Sequence, residues 1–259
     1  MKRVVVAYGP HPSQKGELLL PASASPFPVV VVFHGGFWRA KYGLDVTHSI
    51  ATDLCSQGIA VWNVEYRRVG EEGGGYPGSF HDVTAALDFL ESIAAEYTLD
   101  LGRVLLTGDS AGGQIAQWLG RGSRPSSPFE LPRVRPIAVV ALAPVSNLQE
   151  AYDLDLGGGA VRALLGGSPQ DVASHYDATS PAARLPLGVP VTIFHGDADD
   201  IVPVTMSRTF VRAARLAGDR AELIELAGDG HFVFHDPRGA AWADVRAHLL
   251  NRLRAPDHP

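Results

Sequence analysis

The chain has 259 residues, of which 46% are apolar and 19% are charged, and its formal net charge at pH 7 is −6. This length suits one large α/β domain with a substantial core or two small ones. No basic cluster is denser than Arg67 and Arg68, so the composition argues against an electrostatic grip on nucleic acid, and no nucleic-acid partner is expected.

The single cysteine and the N-terminal segment narrow the class of protein further. Cys55 alone excludes an intrachain disulfide and a cysteine metal cluster. The opening MKRVVVAYGPHP has three valines before a polar turn, which is too short for a signal peptide, and no stretch reaches the roughly 20 apolar residues of a spanning helix. No membrane span is therefore predicted, and a cytoplasmic enzyme is the default expectation.

Short valine-rich runs alternate with helical patterns along the chain, which is typical of a parallel sheet covered by helices. In chain order the predicted strands are KRVVVAYG and GELLLP as an opening pair, PFPVVVVFHGG, IAVWNVEYRR, RVLLTG, PIAVVALAP, VPVTIFHG and AELIELAG. The predicted helices are DVTHSIATDLCSQG, SFHDVTAALDFLESIAAEY as one long amphipathic helix, SAGGQIAQWLG, MSRTFVRAARLAG and AAWADVRAHLLNRLR. We expect a mostly parallel sheet of about eight strands with helices on both faces, in a single α/β domain over residues 1–259.

One irregular region separates two predicted strands, from about residue 144 to residue 188. It contains GGG and GG, several prolines and two short helical patterns, GAVRALLGG and SPQDVASHYD. About 40 residues are too few for a domain, but they suit a small cap or lid over a site.

The stretch GDSAGG, residues 108–113, follows the predicted strand RVLLT and opens a helical pattern. Strand, sharp turn and helix are the context of a nucleophile elbow, in which small neighbours make room for a strained serine. A glycine-rich phosphate-binding turn is the alternative, but the Gly-x-Gly-x-x-Gly pattern and the Walker lysine are both missing from the sequence. We therefore interpret Ser110 as a nucleophile.

A serine nucleophile needs a base, and the base needs an acid that orients it. After VPVTIFHG, the run DADDIVPV offers Asp197, Asp199 and Asp200; after AELIELAG, the run DGHFVFH offers His231 and His235. His231 follows its strand most directly and is the predicted base. We expect His235 to face solvent or to cap the following helix.

The segment FHGGFW, residues 33–38, follows the third predicted strand, where one side of an oxyanion hole is expected. We assign the backbone amides of Gly36 and Phe37 as donors, with the amide of Ala111 from the elbow as the other. His34 is expected to be structural.

Together HGGFW, GDSAGG, HGDADDIVP and GDGHF resemble the serine esterases of the α/β-hydrolase superfamily, over nearly the whole chain. Hormone-sensitive-lipase-like carboxylesterases have His-Gly-Gly-Gly, which matches as far as Gly36 and departs at Phe37. Kynurenine-formamidase-like hydrolases have His-Gly-Gly-x-Trp, which matches through Trp38. The acid-loop pattern of these families falls on Asp199, so the resemblance implies the α/β-hydrolase fold and a triad of Ser110, Asp199 and His231.

The resemblance implies a carboxylesterase that cleaves small carboxylic esters through an acyl-enzyme, with no metal and no organic cofactor. An aryl formamidase acting on N-formylkynurenine-like amides is the nearest alternative, motivated by Trp38. A peptidase, a metal hydrolase that uses His231 and His235, and a catalytically silent binding protein are more remote. The expected partner is a small-molecule ester or amide, and an edge strand or the final helix could support a homodimer.

The remaining assignments concern the surroundings of the site. The aromatic residues Trp38, Tyr76 and Phe232 are expected to form an apolar substrate pocket. Arg67 or Arg68 is expected to pair with Asp82, and Glu65 with those arginines.

Overall fold

A computed structural model describes residues 1–22, 26–121 and 128–254 of the chain. Its centre is one eight-stranded sheet with the spatial order β1-β2-β4-β3-β5-β6-β7-β8. The strands are β1 (Lys2–Ala7), β2 (Lys15–Leu20), β3 (Phe27–Phe33), β4 (Ala60–Val64), β5 (Leu99–Asp109), β6 (Ala138–Leu142), β7 (Val191–Gly196) and β8 (Ala221–Leu226).

The first two strands run antiparallel to their neighbours, and every pairing from β4 to β8 is parallel. Parallel neighbours need crossover connections, which the intervening helices supply. The predicted α/β-hydrolase fold, with a mostly parallel sheet of eight strands, is confirmed. Because β3, β5, β7 and β8 all run in the same direction, the loops that follow them meet at one edge of the sheet.

Helices cover both faces of this sheet, as predicted. They are α1 (His48–Ser56), α2 (Gly78–Asp88), α3 (Leu90–Tyr97), α4 (Ala111–Leu119), α5 (Leu148–Asp153), α6 (Ala160–Leu165), α7 (Ala173–Thr179), α8 (Val204–Leu216) and α9 (Ala240–Arg254). Short 3-10 helices occupy Leu44–Thr47, Pro181–Arg184 and Val233–His235. No helix in the described part of the chain is both long enough and apolar enough to cross a membrane.

Strand β3 shows how the sequence builds two cores. Val29 and Val31 point into one cluster, which also holds apolar residues of α2, α3, α4 and α8. Val30 and Val32 point into the other, which holds those of α1 and α9. Side chains alternate between faces along a strand, so a continuous apolar run is what a strand buried on both faces requires.

Two helices depart from the expected pattern. The single long helix predicted over residues 79–97 divides into α2 and α3 around Phe89, because both the amide and the hydroxyl of Ser92 bond the Phe89 carbonyl and tighten the turn. Helix α5 was not predicted. Its sequence signal is Asn147, whose side chain accepts hydrogen bonds from the amides of Gln149 and Glu150 as an N-cap.

Candidate active site

Ser110 lies in a sharp turn between the end of β5 and the start of α4. Its backbone has φ 53° and ψ −117°, a left-handed conformation that L-residues with side chains rarely adopt. The turn also brings α4 close to β3: a Cβ on Gly112 would lie 2.0 Å from the Phe33 carbonyl oxygen, and one on Gly108 would lie 2.5 Å from it. The glycines around Ser110 are therefore required by this close approach.

Asp199 and His231, on the loops after β7 and β8, form a direct contact. His231 Nδ1 lies 2.6 Å from Asp199 Oδ2. The other carboxylate oxygen of Asp199 accepts hydrogen bonds from the amides of Ile201 and Val202 at 2.9 and 2.8 Å. Asp197 instead accepts from the Gly228 amide. Of the three aspartates named in the sequence analysis, Asp199 is thus the one with a hydrogen-bond contact to His231.

A second histidine approaches the same carboxylate. His195, at the end of β7, is fully buried, and its Nε2 lies 3.1 Å from Asp199 Oδ2 and 2.9 Å from the Val202 carbonyl oxygen. Burial alone would raise the pKa of Asp199, but the bonds from His195, His231 and the Val202 amide hold it well below its usual range. Asp199 is therefore a carboxylate at neutral pH. His195 lies within the run HGDADDIVP, yet nothing in its spacing predicted this contact.

A cavity of about 400 Å³ contains Ser110 and His231 in its wall. Its lining residues are Gly36, Phe37, Tyr42, Val46, Asp109, Ser110, Ile201, His231, Phe232 and His235. Gly36 and Phe37, both predicted as oxyanion donors, line this cavity with φ values of 100° and 52°. Ala111, the third predicted donor, is the first residue of α4 and directly follows Ser110. Phe232 lies at the cavity with 64% of its surface exposed.

Trp38 and Tyr76, predicted as pocket residues, lie elsewhere. The Trp38 side chain is buried, and its indole N–H donates to the Gln114 side chain at 3.1 Å. Tyr76 stacks on His175 with ring centroids 3.7 Å apart, in a separate part of the surface. The prediction is corrected for both residues: the indole N–H found a buried partner on α4, and the Tyr76 ring packs against the segment that carries α7.

His235 was expected at the surface or as a helix cap, and this prediction is also wrong. Its side chain lines the cavity, and Nε2 lies 3.2 Å from Oδ2 of Asp109, the residue immediately before Ser110. The short 3-10 helix Val233–His235 turns the chain back, so a residue four positions after His231 returns to the same cavity. Asp109 and His235 are the polar cavity residues that sequence reasoning missed.

His34, which was expected to be structural, lies in a buried network beneath the loop after β3. His34 Nε2 lies 2.9 Å from Glu65 Oε1, and Arg68 lies 3.2 Å from the same oxygen. Burial would raise the pKa of Glu65, but His34, Arg68 and the Leu44 amide lower it. Glu65 therefore pairs with an arginine as expected.

Of the two arginines expected to pair with Asp82, Arg67 is the one that does so. An oxygen of Asp82 lies 2.6 Å from the Arg67 guanidinium, which also donates from Nε at 2.8 Å. This two-bond contact joins the segment after β4 to α2.

Within the described ranges, no three His, Cys, Asp or Glu side chains are grouped so as to hold a metal ion.

The sequence profile of the BD-FAE family matches residues 17–213, which is more than half of the chain and includes Ser110 and Asp199. In fold, the chain is similar to a truncated carbohydrate esterase from gut microbiota, with a TM-score of 0.83 and 22% identity over 98% of this chain and 97% of that one.

Two curated relatives are esterases by name. The isoprenylcysteine alpha-carbonyl methylesterase ICME of Arabidopsis thaliana is 26% identical over 98% of this chain. The alignment covers 62% of ICME, so the chain spans about three fifths of that relative's length. The carboxylesterase NlhH of Mycobacterium tuberculosis is 37% identical over 106 residues, which are 40% of this chain and 32% of NlhH.

Proposed function

The chain belongs to the BD-FAE family, and from this membership and the geometry around Ser110 we propose that it is a serine hydrolase that cleaves small carboxylic esters. One observation carries the proposal. A serine in a strained strand-to-helix turn shares a cavity with a histidine that is bonded to a buried carboxylate at 2.6 Å. The esterase names of the relatives agree with this chemistry.

The proposed reaction uses Ser110 as nucleophile and His231 as general base. Because the Nδ1–H of His231 donates a hydrogen bond to the Asp199 carboxylate, Nε2 carries no proton and can accept that of the Ser110 hydroxyl. Ser110 Oγ then attacks the acyl carbon, and the imidazolium returns the proton to the leaving alcohol. Water, activated by His231 in the same way, hydrolyses the acyl-enzyme.

The tetrahedral intermediate carries a negative oxygen that needs hydrogen-bond donors. We assign the amides of Gly36 and Phe37 from the cavity wall and that of Ala111 from the N-terminus of α4. The free amides and dipole at a helix N-terminus favour negative charge at this position.

The substrate is proposed to be an ester with a short apolar acyl group. The cavity holds about 400 Å³ and has five aromatic or aliphatic residues in its wall: Phe37, Tyr42, Val46, Ile201 and Phe232. The formamidase alternative depended on Trp38, which is buried against Gln114 and absent from the cavity wall, so it gains no support.

We also propose that the segment around residues 144–188 acts as a small cap within a single domain. Its support is a contact with the loop that supplies Gly36 and Phe37. The Arg39 guanidinium donates to the carbonyls of Gly157 and Gly158, the latter at 2.9 Å. The ring of Phe37 packs so closely on Gly157 that an added Cβ there would lie 2.7 Å from it.

The test compares kcat/KM for p-nitrophenyl butyrate and for N-formylkynurenine on one preparation, with Ser110→Ala as the blank. We expect the ester to be preferred by orders of magnitude and Ser110→Ala to lower kcat by about four to six orders of magnitude. A fluorophosphonate probe should label the wild type at Ser110, because an activated serine is required for labelling. Residual activity of Ser110→Ala within tenfold of the wild type, or a lack of labelling, contradicts the proposal.

A further inference from the structure

A second carboxylate–imidazole pair, Asp109 with His235, faces the cavity that holds Ser110. The side chain of Asp109 is 8% exposed and that of His235 is 24% exposed. Their closest atoms, Asp109 Oδ2 and His235 Nε2, are 3.2 Å apart, but they are poorly aligned for a hydrogen bond. The two groups are therefore within the distance of an ion pair. The mechanism proposed above assigns this pair no role.

Asp109 also touches the loop that carries the proposed oxyanion donors. Its Oδ1 accepts a hydrogen bond from the Gly35 amide at 3.1 Å. A Cβ on Gly35 would lie 2.3 Å from Oδ2, so the carboxylate is pressed against the loop. Gly36 and Phe37 follow directly, which makes Asp109 a fixed anchor for them.

This anchor has an electrostatic cost for the proposed reaction. Negative charge develops on the substrate oxygen beside Gly36 and Ala111, and Asp109 is the covalent neighbour of Ser110. A buried carboxylate at that position opposes the oxyanion, and the opposition is larger in a cavity than in water because the local dielectric is low. A cation in contact with Asp109 cancels this effect.

We propose that His235 is a positioning residue that acts through Asp109: as an imidazolium it neutralises the carboxylate, so that Asp109 can hold the Gly35 amide without opposing the oxyanion. The inference rests on the proposed ester hydrolysis. It makes the cavity a site with two His–Asp pairs of different function, one that transfers a proton and one that balances charge.

The protonation behaviour of the pair agrees with this geometry. Burial would lower the pKa of His235, but the adjacent Asp109 outweighs burial and raises it. Burial would likewise raise the pKa of Asp109, and the contact with His235 lowers it instead. Both groups are thereby favoured in their charged forms.

The experiment measures kcat and KM for p-nitrophenyl butyrate in the wild type, His235→Gln, Asp109→Asn and the double variant. His235→Gln leaves Asp109 unbalanced, and we expect kcat to fall about tenfold to a hundredfold with KM within threefold. In the double variant, the asparagine that replaces Asp109 lacks the charge but can still accept from the Gly35 amide. We therefore expect the double variant to recover at least fivefold of the kcat lost in His235→Gln.

The matched control is His81→Gln, the same change at an exposed position on α2, which should leave kcat unaltered. Thermal unfolding of each variant checks that it folds, and His235→Asn repeats the comparison if His235→Gln does not. A double variant as slow as His235→Gln, or slower, means that the losses add as purely structural ones do, and it overturns the proposal. An unchanged kcat in His235→Gln overturns it as well.

Failure of the proposed function looks different. If the wild type shows no turnover that depends on Ser110, both the ester hydrolysis and the pair's role are overturned. If turnover depends on Ser110 as expected but the double variant recovers none of the kcat lost in His235→Gln, only the proposed role of the Asp109–His235 pair is overturned.

Discussion

His231 and Asp199 are joined through a 2.6 Å contact in which the carboxylate is fully buried. This contact fixes which nitrogen of His231 carries the proton. Asp199→Asn should keep the shape of the loop but allow the wrong imidazole tautomer, and we expect kcat for p-nitrophenyl butyrate to fall about 10³- to 10⁴-fold. Asp200→Asn, an exposed neighbour in the same loop, is the control. Equal effects of the two substitutions would exclude Asp199 as the orienting acid.

The elbow around Ser110 leaves no room for a side chain at Gly112, where a Cβ would lie 2.0 Å from the backbone oxygen of Phe33. Backbone atoms of a central strand cannot move aside cheaply, so Gly112→Ala should lower the free energy of unfolding by about 3 kcal/mol, near the upper end for overpacking. Urea denaturation measures this. Gly102→Ala, where the nearest atom is the end of the Asp100 side chain at 3.2 Å, should change stability by less than about 1 kcal/mol. Equal costs would contradict the crowding argument.

The strands and the order of the motifs could be predicted from the sequence because each depends on local patterns. The apolar run of β3 and the glycines around Ser110 are both patterns of adjacent residues. Each can therefore be read from a short stretch of sequence. The direction of the parallel strands then places Ser110, Asp199 and His231 at one edge of the sheet. These relationships follow from chain order alone.

The rest of the cavity depends on tertiary packing. The sequence allows the Trp38 ring to face either the cavity or the core. In the structure it is in the core, where its indole N–H donates to Gln114, which lies 76 residues away on α4. The return of His235 depends on a 3-10 turn that brings it to Asp109. Contacts between residues far apart in the chain leave no periodic signal in the sequence. The positions of Trp38 and His235 could therefore not be predicted from the motifs near them.

Arg39, in the loop of the proposed oxyanion donors, donates hydrogen bonds to the carbonyls of residues 157 and 158 in the proposed cap. These bonds connect the two segments. Arg39→Gln should loosen the loop with little loss of folding stability, and we expect kcat/KM to fall about tenfold, as for other misplaced catalytic groups. Arg162→Gln, the same change at an exposed position on α6, is the control. If the two variants retain equal kcat/KM, the contact does not position the loop.

The Phe232 ring should bind the acyl chain, because it lines the cavity and is 64% exposed in the absence of substrate. Phe232→Ala should raise KM more for p-nitrophenyl hexanoate than for p-nitrophenyl acetate, by about three- to tenfold, since each buried methylene contributes about 0.8 kcal/mol. Leu216→Ala, at an 81% exposed apolar position on α8, should affect both esters equally. A Phe232→Ala variant whose KM changes equally for the two esters would place the acyl chain elsewhere.

The contact of His235 with Asp109 should also appear in the stability of the protein. Burial opposes the imidazolium, but Asp109 raises the pKa of His235 above its ordinary value. A group whose pKa is raised by folding contributes stability that is fully present below its unfolded pKa of about 6.5 and is lost as pH rises through the folded pKa.

We therefore expect the free energy of unfolding of the wild type to decline, relative to that of His235→Gln, as pH rises above about 6.5. Urea denaturation of both proteins from pH 5.5 to 9.5 measures the difference. The same decline should vanish in Asp109→Asn compared with the double variant, because the carboxylate that favours the imidazolium is gone. If the difference between the wild type and His235→Gln stays constant with pH, folding does not raise the pKa of His235, and Asp109 does not favour the imidazolium.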